Sequence, residues 1–193
     1  GYEGTNASQV WVIESVFRHN RVGVTPNSQS LEQRAPQTAA VIAGNLVVDN
    51  DDPAAPEQAS GGFGLGIAIG SGIGNVVTAN RVEGNDGTGI LVTTLDTFTP
   101  TGNRIEGNVL DGNGLDLGYW LTGDETDAGG NCFVDNRFST SSPADIETVL
   151  PCDPPAGAVV APIGPVLDSP AGPAPADVPA PPAQPSMPGD VRA

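Results

Sequence analysis

Asparagine recurs every five residues through the middle of this chain, and the same set of three returns 28 positions later. Asn75, Asn80 and Asn85 are followed by Asn103, Asn108 and Asn113. Two residues beyond most of them stands an apolar side chain, Val77, Val82, Ile105, Leu110 and Leu115, with Gly87 as the exception. Self-similarity of this kind marks a repeat architecture. It extends upstream to Asn45 and Asn50 around Val47 and to Ser15 and Asn20 around Phe17, and downstream to Asn131 and Asn136 around Phe133. Five repeats are expected, beginning near 10, 40, 75, 103 and 126. In that register Ser15, Asn45, Asn80, Asn108 and Asn131 form one column, and Asn20, Asn50, Asn85, Asn113 and Asn136 the next.

A spacing of five fits no helix, and the Leu frame of a leucine-rich repeat is absent. If each repeat is a closed coil stacked on the next, equivalent residues lie about 4.8 Å apart. Buried amides can then hydrogen-bond up the stack, each donating to the next. Asn also tolerates the left-handed backbone of a sharp corner, so it is expected to form the corner itself. The apolar residue two positions on points inward by strand alternation. Val22 with Val24, Ile67 with Ile69, Ile90 with Val92 and Leu115 with Leu117 read as a further strand in each coil. The fold class is therefore all-β, a right-handed parallel β-helix (solenoid) with an Asn ladder, its hand set by the crossover rule.

Particular segments resemble a known group. The ladder repeats look like those of the pectin lyase-like superfamily. GYEGTNA at Gly1, RHNRVGVTPNS at Arg18, GNLVVDN at Gly44 and GNCFVDNRFSTSSPADIETVLPC at Gly130 resemble the C-terminal part of secreted bacterial right-handed β-helix proteins. The resemblance covers residues 1–152. It implies a fold and a secreted or cell-surface location, with carbohydrate contact as a superfamily tendency.

Along the chain, residues 1–9 read as an irregular lead-in, with further coils expected before them to close that end. Polar insertions follow coil one (SQSLEQRAPQT) and interrupt coil two after Asn50 (DDPAAPEQASGG). Leu95 opens the connection LDTFTPT. GYWLTGDETDAGG places Tyr119 and Trp120 at a coil corner, and a helical turn over 144–149 would cap the stack. Residues 1–152 form the expected β-helix domain. Residues 153–193 are Pro/Ala-rich and lack the apolar content to fold, which suits a spacer or wall-spanning linker. Cys132 and Cys152 suggest a disulfide that ties the cap to the last coil, free thiols being the alternative.

Seven basic residues oppose 23 acidic ones, a net charge of −16. That balance argues against nucleic acid as a partner. No segment is long and apolar enough for membrane insertion, and a monomer is expected. Register then nominates outward neighbours. Glu83 and Asp111 would sit on adjacent coils as a carboxylate pair for glycoside chemistry or Ca²⁺. Their column is expected to run Arg18, Val48, Glu83, Asp111, Val134. Asp51 and Asp86, with Asp49 and Asp52 nearby, form a second pair able to hold Ca²⁺; the competing reading of both pairs is a solvated acidic face. Arg81 and Arg104 could clamp a uronate or pair with Glu83 and Glu106. Tyr119 and Trp120 could stack on sugar or cover the core end. His19, the single histidine, is a weak base candidate, and the catalytic motifs of polygalacturonases, pectate lyases and alginate epimerases are missing. Three functions remain: a carbohydrate-binding module, a structural or adhesive stalk, and a uronic-acid polysaccharide lyase or hydrolase.

Overall fold

The structure, a computed structural model, describes residues 1–31, 33–58, 61–122 and 129–152. The expected Pro/Ala-rich tail, 153–193, lies outside the described residues. Each coil makes two three-residue strands and then a longer one. Coil one is β2 (Trp11–Ile13), β3 (Val16–Arg18) and β4 (Val22–Asn27). Coil two is β5 (Val41–Ala43), β6 (Leu46–Val48) and β7 (Leu65–Gly70). Coil three is β8 (Val76–Thr78), β9 (Arg81–Glu83) and β10 (Thr88–Thr93). Coil four is β11 (Arg104–Glu106), β12 (Val109–Asp111) and β13 (Leu115–Trp120). These stack into a six-stranded sheet β1-β4-β7-β10-β13-β15, a five-stranded sheet β14-β11-β8-β5-β2 and a four-stranded sheet β12-β9-β6-β3. Here β1 is Tyr2–Thr5, β14 is Cys132–Val134 and β15 is Ser141–Ser142. All pairings between these strands are parallel. The expected parallel β-helix is the fold observed.

Alternation fills the interior. The central residue of each short strand points in: Val12, Ile42, Val77, Ile105 and Phe133 on one sheet, and Val47, Val82 and Leu110 on another. Val24, Ile67, Ile90 and Leu117 close the third side. Complete burial of one such side chain contributes about 1.5–3 kcal/mol.

The Asn residues do make ladders. Asn80 is typical: its Oδ1 accepts the Asn45 N–H at 3.0 Å and the Asn45 amide at 2.9 Å. Its own Nδ2 donates to Asn108 Oδ1 at 3.0 Å and to the Ile42 carbonyl at 2.9 Å. The left-handed corner, however, is not formed by Asn. It falls on the residue before, as at Gly44, Gly84, Gly107 and Gly112, whose φ values lie between 61° and 67°. Glycine enters that region without a Cβ clash, which leaves Asn free to face inward with its amide.

Three other expectations are corrected. Residues 2–5 are β1, paired with β4, and not irregular. The last coil begins 28 residues after the fourth, since Arg104 pairs with Cys132. Asn131 therefore continues a column from Asn75 and Asn103, and Asn136 continues the one through Asn108. The column through Asn20, Asn50 and Asn85 stops at Asn113. Coil five does turn a third corner, since Arg137 bridges Val109 and β15 pairs with β13, but that corner carries Ser139 and Thr140, whose N–H groups go to Asp116, in place of an Asn. The cap helix α1 is also shorter than expected, Ile146–Val149.

Each column ends on a side chain that needs only to accept. Glu147 takes the Asn136 N–H at 2.8 Å and its amide at 2.9 Å. Asp116 takes Asn113 Nδ2 at 3.0 Å, and the Tyr119 hydroxyl takes Asn131 Nδ2 at 3.3 Å. The Cys132–Cys152 disulfide forms as expected and pins the cap to β14. Loss of one capping acceptor leaves two donors unpaired. Glu147→Ala should therefore destabilise by about 1–3 kcal/mol in urea unfolding, whereas Glu147→Gln, which keeps the acceptor oxygen, should stay close to the parent.

Candidate functional site

Strand register brings the nominated carboxylates together. Glu83 and Asp111 are direct partners on β9 and β12, in a column with Val48 and Arg18. The column does not continue to Val134, which pairs instead with Glu106. Glu83 is held by Arg81 at 2.6 Å, while Asp111 is exposed. Arg104 is likewise bound to Glu106 at 2.5 Å. Both arginines thus meet the carboxylate two residues on, on the same face of their strand.

Tyr119 is not part of a surface platform. It lies on β13 with its side chain in the core, 1% exposed, and meets Phe133 edge-on with centroids 6.5 Å apart. Strand alternation sends its neighbour Trp120 to the opposite face, half-buried beside Thr93. The two rings therefore cannot share one sugar. A groove on that outer face, lined by Thr25, Leu65, Ala68, Leu91 and Thr93, has a volume of about 40 Å³. Small-molecule sites begin at about 300 Å³.

Asp51 and Asp86 are neighbours at the corner between the four- and six-stranded sheets. Burial, and then the charge of Asp86, raise the Asp51 carboxyl above its ordinary value, partly offset by the Asp86 N–H donating to it. Asp49 adds a smaller repulsion. Among the described residues no three His, Cys, Asp or Glu side chains converge as metal ligands would. One coil earlier the same corner position is Arg21, 2% exposed. Its guanidinium donates to the Pro53 carbonyl at 3.3 Å, pairs with Glu57 at 3.6 Å and lies 5.1 Å from the Phe63 ring centre. Arg21 thereby fastens the coil-two insertion to the solenoid, a structural role with no signal in the sequence. His19 is exposed at a left-handed corner with φ 55°, its N–H donating to the Asp49 carbonyl.

Sequence reasoning missed Trp11. Its ring is 72% exposed on the outer face of the five-stranded sheet. It heads a column that runs through Val41 and Val76 to Arg104 and Cys132. Ile13 stands beside it, and Val16 and Leu46 continue the exposed apolar surface around the corner onto the four-stranded sheet. The available signal was strand parity: Val12 points inward, so Trp11 and Ile13 must point out.

Since the Asp51 pKa is raised in the folded state, its ionised form costs stability above that pKa. The cost disappears as pH falls below the unfolded value of 3.8. Asp51→Asn should therefore be more stable than the parent at pH 7, and thermal melts should show the gap closing towards pH 3.8.

A family model described as "Periplasmic copper-binding protein (NosD)" matches residues 2–148. No curated protein and no solved structure matches the chain. With its stacked parallel coils and a family match across most of its length, the chain belongs to the NosD family of periplasmic copper-binding proteins.

Proposed function

We propose that this chain is a non-catalytic, extracytoplasmic β-helix module that binds a polysaccharide across the outer face of its five-stranded sheet. The observation that carries the reading is Trp11, whose ring stands 72% exposed on a flat sheet face. Aromatic faces pack on the apolar faces of pyranose rings. Arg104 in the same column, three strand spacings or about 14 Å away, and its partner Glu106 in the column of Ile13 offer hydrogen-bonding groups on that face. An extended polymer lying along the solenoid axis meets both, and a flat face suits it better than a small molecule. The net charge of −16 favours a neutral glycan over a uronate polymer. Catalysis by Glu83 and Asp111 has less support, because the pair lies on a strand face with no enclosing pocket among those found in the described residues. The disulfide suits an oxidising compartment, in keeping with the periplasmic description of the family.

Copper enters from the family description, and the donors of this chain do not fit it. Copper sites draw on imidazole, thiolate and thioether groups. The chain has one His, one Met and two Cys. Both cysteines are joined in the disulfide, His19 stands exposed with no converging partners among the described residues, and Met187 lies outside them. Copper therefore has no part in this reading.

In affinity electrophoresis against neutral glucans and mannans, the chain should be retarded equally with calcium and with chelator. Trp11→Ala should abolish the retardation, and a Trp11→Ala protein that still binds would remove the assignment. Isothermal titration with Cu(II), and with Cu(I) under reductant-free argon, should give no stoichiometric site and no difference between the parent and His19→Ala. A tight one-to-one complex would overturn the misfit.

A further inference from the structure

On the outer face of the five-stranded sheet, coils one to four present Trp11, Val41, Val76 and Arg104 in one straight column. We propose, resting on the glycan reading above, that this face takes a neutral β-1,4-linked glycan in step with its coils, one pyranose per coil from Trp11 to Arg104.

Coils repeat about every 4.8 Å. An extended β-1,4 chain advances by nearly that distance per ring, because equatorial linkages keep successive rings in one flat ribbon. Four rings laid along the column therefore meet four coils in register. An α-1,4 chain curves away from the plane and loses contact after its first rings.

The chemistry of the face suits such a ribbon. Trp11 offers a ring to stack on, and Val41 and Val76 offer aliphatic surface to the C–H faces of the next sugars. Beside them run Ile13, Ala43 and Thr78, so the first three coils present no charged outward side chain here. On the fourth, Arg104 and Glu106 neutralise each other at 2.5 Å, with side chains 38% and 34% exposed. In a chain of net charge −16, this is a face without net charge, which an uncharged polymer covers without stranding an ion. Hydroxyls of the third and fourth sugars meet Thr78, Arg104 and Glu106, which supply both donors and acceptors.

The corners decide how the sugar is read. Those that border β5, β8 and β11 are Ala39, Gly74 and Gly102 on one side and Gly44, Ala79 and Gly107 on the other, all at positive φ. None carries more than a methyl group, so no corner side chain rises beside the column. A pocket encloses a ring and reads its substituents. A face with bare corners reads the backbone and lets branches pass over its edge.

Titration calorimetry of the full chain with cello-oligosaccharides of two to six units, and with malto-oligosaccharides of the same lengths, tests the proposal. In the β-1,4 series the association constant should rise at least about tenfold from disaccharide to tetrasaccharide, and by less than about threefold from there to the hexasaccharide. The α-1,4 tetrasaccharide should bind at least about tenfold more weakly than the β-1,4 one. Arg104→Ala should flatten the series, so that the tetrasaccharide binds no better than the trisaccharide. Galactosylated and plain 1,4-β-mannotetraose should bind within about twofold of each other. A disaccharide as tight as the tetrasaccharide would overturn the proposal, since Trp11 alone would then account for binding. Equal affinity for the two linkages would overturn it as well. Either result leaves Trp11-dependent retardation by neutral glycans, and with it the glycan reading, in place. Absence of binding in both series would also overturn the proposal, and the gels then separate the two ideas: retardation that persists keeps the glycan reading, and its absence removes that too.

Discussion

A side-chain amide that is both donor and acceptor, set against a backbone repeat of about 4.8 Å, governs this molecule. At each ladder position Oδ1 receives the main-chain N–H and the amide of the coil before, while Nδ2 reaches the coil after and a carbonyl behind. Buried polar groups without partners cost about 1–3 kcal/mol each, so every coil must present an amide at the same corner. Asp lacks the donor, and Gln carries its amide one methylene further out. The one Gln in a ladder, Gln37, sits where its chain segment follows a different path from the regular coils, exchanging hydrogen bonds in both directions with Asn75.

Direction follows from that arrangement. Amides donate towards the C-terminal end in all three columns, so that end presents donors and needs acceptors. Asp116, Glu147 and Tyr119 provide them. Two of the three are carboxylates, the stronger partners for N–H groups. Closure of the stack is therefore an electrostatic match as well as a steric one, and the disulfide holds α1 in position to make it. The coil-two insertion is fixed by a different device, the buried Arg21, whose charge is met by Glu57, the Pro53 carbonyl and the face of Phe63.

Core and ladder occupy the inward positions, which leaves outward ones under little folding constraint. They carry whatever chemistry the surface needs. On the four- and five-stranded sheets they hold Trp11 and its aliphatic neighbours at one end and self-paired Arg–Glu couples at the other. Paired arginines and acidic neighbours such as Glu83 and Asp111 are what register alone would produce on a parallel sheet. The exposed tryptophan has no such explanation.

Sequence alone determined the solenoid, the Asn positions, the inward apolar set and the cysteine pair, because each is a periodic or pairwise property of the chain. It also placed Glu83 beside Asp111 and Asp51 beside Asp86, since regular coils in the middle of the stack fix register. Tertiary structure decided what happens where the period breaks. The register of Asn131 and Asn136 follows the 28-residue step of the coils before, with Asn103 and Asn108 bonding to them, and the stack decided it against the shorter last coil expected near 126. Tyr119 and Trp120 differ by one position, yet strand parity sends one into the core and the other to the surface. Trp11 became a site residue only when the corner geometry joined it to Val16 and Leu46. Local periodicity sets which residues face inward; only the closed coil decides which outward residues meet.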